Sequence, residues 1–351
     1  MDAVETGRVD TGSKWFELYQ KGIELGTWDA AKLVEQMGVE EDMEVWASLE
    51  PEEKEQWARL IAAFVDLEHA VAEDGRRIIE QMGSPYLDES IEKEMYATVF
   101  AMTEAKHTQF FDMYINTVMH DVFPDTHLDI RRGGQPLPRT SACGMSKLGE
   151  RQGAKMALAA NGGDPVDIAR AATTYHMMVE GIAARGGYFP KNNMMAESPL
   201  PLLNKGFQFV STDEGRHVTH GLELLSELLE KERAGIPEYQ GVDEAIWEES
   251  LACLPHVIDT AYFVSAAMDD PLGADFDGLI QRGMELWHAQ FEETLDLEHY
   301  APNTFSQVAQ GAANEADETD YDGRIERHAA TYARKLDLDE TDVVTGGVAD
   351  D

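Results

Sequence analysis

Apolar residues recur along most of this chain at steps of three and four, the spacing that lines one face of an α-helix. The stretch 51–82 shows it in Trp57, Ile61, Phe64, Glu68, Val71, Gly75, Ile78 and Met82. The next stretch repeats it in Ala97, Phe100, Glu104, His107, Phe111, Tyr114 and Val118. The same period predicts helices over 51–82, 87–119, 141–160, 164–187, 200–231, 243–269 and 276–298. Pro51 and Pro165 occupy first-turn positions, the latter behind Asp164 as a cap. Gly and Pro are sparse within these runs and cluster in HDVFPDTH, RRGGQPLPR, FPKNNMMAESPLP and MDDPLGADFD, which read as loops. No alternating β pattern stands out, so the expected fold class is all-α.

Composition narrows the possibilities. With 351 residues and 43% apolar content the chain can bury a sizeable core. The first twenty residues are polar and mixed, and nowhere do 18 apolar residues follow one another, so a soluble, cytoplasmic protein is expected. Cys143 and Cys253 are too few for a disulfide framework or a zinc knuckle. The 67 acidic residues against 28 basic ones give a formal charge of −39, which argues against nucleic acid, because a phosphate backbone calls for a basic face. Spread acid with Arg favoured over Lys suggests a halophilic setting, where repulsion is screened over about 3 Å at 1 M salt. Between 311 and 351 there are 12 acidic and few large apolar residues, so a solvated, partly disordered tail is expected and the core should stop near residue 300.

The anomaly lies inside the apolar stripes. Glu68 sits on the buried side of its helix, and Glu104 and His107 share the apolar face of the next. Glu180 follows Val179 and precedes Ile182 and Ala183, and the 200–231 stripe runs Leu203, Phe207, Val210, Glu214, His217, Gly221, Leu224 and Leu228. A stripe Glu is thus followed by Glu-x-x-His twice, 36 positions on and then 34 positions on. A buried carboxylate costs several kcal/mol unless paired, and no Lys or Arg lies on these stripes. Two divalent cations would neutralise four carboxylates, and Glu and His at i, i+3 aim two donors at one point. A carboxylate-bridged dinuclear site in a four-helix bundle follows. Six oxygen and nitrogen donors without thiolate suit iron or manganese, with dioxygen as the implied oxidant.

LEHAVAEDG, EMYATVFAMTEAKHTQFF, ATTYHMMVEG and STDEGRHVTHG resemble the metal-bearing helices of the ribonucleotide reductase small-subunit superfamily, over roughly residues 40–230. Within it the chain looks most like the ligand-binding oxidases. The resemblance implies a ferritin-like dimetal bundle over 41–303, an N-terminal extension over 1–40 and a tail over 304–351. It implies Mn and Fe together, or two Fe, bound by Glu68, Glu104, His107, Glu180, Glu214 and His217. It also implies a long-chain fatty-acid-like ligand and a homodimer. Phe111 stands where radical-bearing subunits carry a tyrosine, excluding a tyrosyl radical there. Val71 and Tyr175 match the pair that such oxidases join by an ether crosslink, and Asp213 matches an acid that orients a ligand His.

On an ideal helix Tyr175 lies about 140° around from Glu180, so sharing a face requires a bulge or a ring that reaches across. His176 reads as a hydrogen-bonded neighbour of the site or a core residue, while His69 and His220 receive no role. The small residues of 180–187 permit close packing or leave room for an apolar ligand. Two other functions stay open: a ribonucleoside-diphosphate reductase small subunit, with Tyr321 or Tyr332 in the tail as electron carrier, and a metal or lipid carrier.

Overall fold

The computed structural model describes residues 9–123, 135–185, 198–272, 276–297, 302–338 and 343. Among these every regular element is helical, and no helix is long and apolar enough to cross a membrane. Half of the loop sequence HDVFPDTH, most of FPKNNMMAESPLP, part of RRGGQPLPR and of MDDPLGADFD, and all of the VVTGGVADD end except Val343 lie outside the described residues.

Three helices precede the expected bundle: α1 (Lys14–Leu25), α2 (Ala30–Met37) and α3 (Glu40–Ser48). Ser13 caps α1 by accepting from Phe16 N–H, and Asp29 caps α2 by accepting from Lys32 N–H. The region expected only as an extension is therefore folded, and α1 packs on two of the helices named below that carry the candidate ligands, α5 and α9.

The bundle starts with α4 (Pro51–Met82), opened by the expected proline and by a reciprocal capping box between Glu50 and Glu53. Helix α5 (Ile91–Thr117) begins later than periodicity suggested, because Ser90 accepts from Lys93 N–H and fixes the start. A short α6 (Pro138–Ser141) and α7 (Gly144–Ala160) follow. Helix α8 (Pro165–Ala172), capped by Asp164, changes without a break into a π-helical segment, Thr173–Ala184. Helix α9 (Pro201–Arg233) completes the set that carries the candidate ligands. Helix α10 (Val242–Leu272) lies against both α4 and the π segment, and α11 (Phe276–Trp287) runs into a second π segment, His288–Thr294.

The core does not stop near residue 300. Helices α12 (Pro302–Asp317) and α13 (Tyr321–Leu336) occupy much of the expected tail, packing on α10 and α6 respectively. Tyr321 and Ile325 join the main apolar core, and Tyr321 Oη–H donates to Asp259 Oδ1 at 2.8 Å. Tyr332 is buried and its hydroxyl lies 2.9 Å from that of Ser141. Average acidity hid these helices: few apolar residues suffice when all fall on one face. Replacing Tyr321 by Ala should lower unfolding free energy by about 3 kcal/mol in a urea titration, as for other large buried aromatics; a solvated tail would show no change.

Candidate metal centre

Glu68 on α4, Glu104 and His107 on α5, Glu180 on the π segment, and Glu214 and His217 on α9 converge in the bundle interior, none more than 3% exposed. Convergence is helical geometry: Glu104 and His107, like Glu214 and His217, are separated by three residues and project from successive turns. His107 Nδ1 lies 3.2 Å from Glu68 Oε2, 3.4 Å from Glu104 Oε2 and 3.6 Å from Glu214 Oε1. His217 Nδ1 lies 2.7 Å from Glu104 Oε1, 3.4 Å from Glu180 Oε2 and 3.6 Å from Glu214 Oε2. Two donor groups result, with Glu104 and Glu214 each offering one oxygen to either side.

Several of these atoms lack hydrogen-bond partners although they are buried: Glu104 Oε1, both Glu180 oxygens, Glu214 Oε2 and His217 Nδ1. The 2.7 Å contact of His217 Nδ1 with Glu104 Oε1 is close enough for a hydrogen bond yet lacks its angular geometry. Lone pairs pointing at a shared centre, rather than at each other, is the arrangement a cation requires. Glu68, Glu104 and His107 form one cluster with donor atoms within 4.8 Å of one another, and Glu104, Glu214 and His217 form a second. The residues therefore fit two hard or borderline cations. Cys143 and Cys253 belong to neither cluster, and burial pushes each thiol up to about 12.

Electrostatics shows the strain of the protein side alone. Burial, with Glu104 and Glu214 nearby, pushes the Glu68 carboxyl up to about 7 despite His107. Burial also raises Glu180 well above the carboxylate range, His217 offsetting only part of that. Burial would raise Glu104 too, but His217 and His107 outweigh it and hold the carboxyl at about 2. Burial disfavours charged His107 and His217, and the surrounding carboxylates overcome it, lifting both well above the usual imidazole value. Protons on the imidazoles thus take the place that cations would fill.

Asp213 holds His107 from behind. His107 Nε2 lies 3.1 Å from Asp213 Oδ2, and the same oxygen accepts from Trp28 Nε1–H at 2.8 Å. Arg216 donates to the other Asp213 oxygen. Burial opposes ionisation of Asp213, but these partners hold its carboxyl far below the ordinary range. With Nε2–H held by Asp213, it is the proton on Nδ1, the nitrogen facing the carboxylates, that a cation would displace. Trp28 and Arg216 were not evident from periodicity; Trp28 stands directly before the cap of α2, outside any stripe of the main bundle.

The π segment resolves the angular problem of Tyr175. A π-helix bonds residues five apart, which brings i and i+5 to the same side, so Tyr175 and Glu180 share a face. Tyr175 is fully buried, its hydroxyl has no hydrogen-bond partner, and its ring meets Phe100 edge-on at 5.9 Å. Burial and then the Glu180 charge raise its phenol well above the usual value. Val71 is buried one turn beyond Glu68. Phe111 packs against Phe64 and Phe207, at 6.2 and 5.3 Å between ring centres.

Of the two readings of His176, the core residue is the one found: it is buried, neither ring nitrogen is hydrogen-bonded, and burial holds it well below the ordinary imidazole range. His220 is also buried and unpartnered, edge-on to His176 at 4.8 Å. His69 is away from the cluster, 3.3 Å from Asp112.

The family model described as ribonucleotide reductase, small chain, matches residues 15–248. A tyrosine-to-phenylalanine variant of an R2-like ligand-binding oxidase with an aerobically reconstituted Mn/Fe cofactor superposes with a TM-score of 0.67 at 23% identity, covering 83% of this chain and 98% of that one. A glycine-to-leucine variant of an R2-like ligand-binding oxidase with an aerobically reconstituted Fe/Fe cofactor gives a TM-score of 0.64 at 22% identity, with the same coverage. At such identity the likeness is one of fold. For the site itself, Asp213→Ala should weaken uptake of divalent ions about 10- to 100-fold, read by competition with a chromogenic chelator; unchanged affinity would remove Asp213 from any orienting role.

Proposed function

The chain belongs to the ribonucleotide reductase small-chain family, and from that premise we propose that it is a dimetal-carboxylate oxidase of the ligand-binding kind, acting on dioxygen. The observation that carries the reading is the pair of buried donor clusters sharing Glu104, with unpartnered oxygen and nitrogen atoms facing one centre. Glu68, Glu104, His107 and Glu214 would hold one ion; Glu104, Glu180, Glu214 and His217 would hold the other. When bound, manganese with iron, or two irons, supply the redox capacity to reduce dioxygen.

The protein's own residues set what that capacity reaches. Apolar rings and side chains exclude water from the centre, Phe111 offering no phenol to oxidise. Tyr175 does offer one, protonated and without a hydrogen-bond partner. In the reaction proposed, a C–H bond of the Val71 side chain and the Tyr175 O–H bond break and a C–O bond forms. Two electrons and two protons pass to dioxygen, leaving the linked peptides lighter by two hydrogens. Asp213 keeps His107 in register, and Glu104 and Glu214 join the two halves.

The apolar chain of a fatty-acid-like ligand would enter at a groove beside the metal-site helices that encloses about 60 Å³ and would have to part its lining residues, which include Phe64, Ile182, Ala183, Leu254 and Met284. Phe64 lies one turn before Glu68, and Ile182 and Ala183 directly follow Glu180 and Gly181, so one end of the groove is close to the metal-bearing helices. A fatty-acid-like molecule with its carboxylate toward the centre fits that polarity.

A reductase subunit is the other role open to this family, with Tyr321 or Tyr332 as carrier. Both tyrosines are packed into helix α13 and hydrogen-bonded, which argues against a freely moving tail bearing either. Co-purification with a large catalytic subunit and nucleotide-dependent turnover would decide for it.

Peptide mass analysis after aerobic loading with manganese and iron should find the Val71 and Tyr175 peptides joined, and Tyr175→Phe should leave them separate; free wild-type peptides after full loading would refute the crosslink. Mass spectrometry of an organic extract should release a long-chain carboxylic acid, and substituting Trp for Gly283, which also lines the groove, should reduce its yield severalfold; an empty extract from wild type would remove the lipid from the account.

A further inference from the structure

The π segment bearing Glu180 runs to Ala184 and is buried over most of its length, so its carbonyls need donors within the protein. In an α-helix Arg185 N–H would donate to the carbonyl of Gly181, four residues back. Here it donates to Glu180 O and Ile182 O instead, passing over Gly181. The bypassed carbonyl accepts from Gln290 Nε2–H at 3.1 Å, in a buried hydrogen bond. Gln290 is 4% exposed and belongs to the second π segment, where Leu295 N–H donates to its carbonyl at 3.1 Å. The approach needs glycine: a Cβ at Gly181 would lie 2.7 Å from Gln290 Nε2 and 2.8 Å from its Oε1. Gln290 lies beyond residue 248, where the match to the family model ends.

We propose that Gln290 is a positioning residue for the metal centre, replacing the α-helical bond that Gly181 forgoes and thereby holding the π register that aims Glu180 at His217. Without the Gln290 donor, the Gly181 carbonyl loses a buried hydrogen bond. Its available replacement is Arg185 N–H, and that exchange rewinds the turn toward i→i+4 bonding. Rewinding rotates Glu180 away from the face it shares with Tyr175 and loosens the donor set around His217. The Glu68 and His107 half is carried by α4 and α5 and keeps its ligands. The inference rests on the dimetal reading above.

The test uses the full chain loaded with manganese and iron, comparing wild type with Gln290→Met, which keeps length and apolar volume but removes the donor, and Gly181→Ala, which displaces the amide while leaving Gln290 in place. Both variants should bind the ion near His217 at least about tenfold more weakly. They should approach one ion per chain by elemental analysis where wild type holds two. The electron paramagnetic resonance signature should change from that of a coupled pair to that of an isolated ion. A purely structural role would lower the thermal midpoint and leave stoichiometry and signature alone. Should Gln290→Met fail to fold, Gly181→Ala decides. Two ions with wild-type affinity and signature in a folded variant would overturn this inference alone, whereas a wild-type chain that takes up no transition ion would overturn the dimetal reading with it.

Discussion

Four carboxylates and two imidazoles share a space from which water is excluded, and that constraint organises the molecule. Carboxylates brought together without water repel one another and lose hydration, a cost of several kcal/mol for each unpaired charge. The chain meets part of this cost with protons, as the raised imidazoles and the raised Glu68 and Glu180 show. The atoms left without partners mark where protons are insufficient and cations fit. The long helices that carry these groups must therefore be rigid and well anchored, and the apolar stripes that anchor them are the same ones the charged groups interrupt.

Anchoring reaches beyond the four helices. The α2 cap region delivers Trp28 to Asp213, so a segment outside the bundle fixes the ring of a ligand candidate inside it. From the other end, the second π segment delivers Gln290 to Gly181. The acidic C-terminal helices cover α10 and α6, with Tyr321 and Tyr332 turned inward. Each is a long-range contact made by one polar side chain: Trp28 donates to the Asp213 carboxylate, Gln290 to the Gly181 carbonyl and Tyr321 to the Asp259 carboxylate, while the Tyr332 hydroxyl pairs with that of Ser141.

A π-helix gives up good backbone geometry, and functional sites are where that sacrifice is commonly found. Here the return is angular: Tyr175 and Glu180 come to one face, which an α-helix would separate by about 140°. Gly181 makes the distortion tolerable by admitting Gln290 where any Cβ would collide.

The sequence by itself determined the helical class, the four metal-bearing stripes and the six candidate ligands, because period 3.6 fixes which side chains share a face and a polar group on an apolar face stands out locally. It also left two ways for Tyr175 to meet Glu180, a bulge or a ring that reaches across, since the angle between them on an ideal helix follows from spacing alone. The tertiary structure decided what spacing does not encode: which oxygen of Glu104 and Glu214 faces which imidazole, that Trp28 and Arg216 hold Asp213, that Gln290 holds Gly181, and that the acidic tail forms two helices over its described part. Apart from the Arg216 contact within its own helix, those outcomes depend on residues tens to hundreds of positions apart, and a single side chain on one helix carries no trace of the partner that another helix will bring to it.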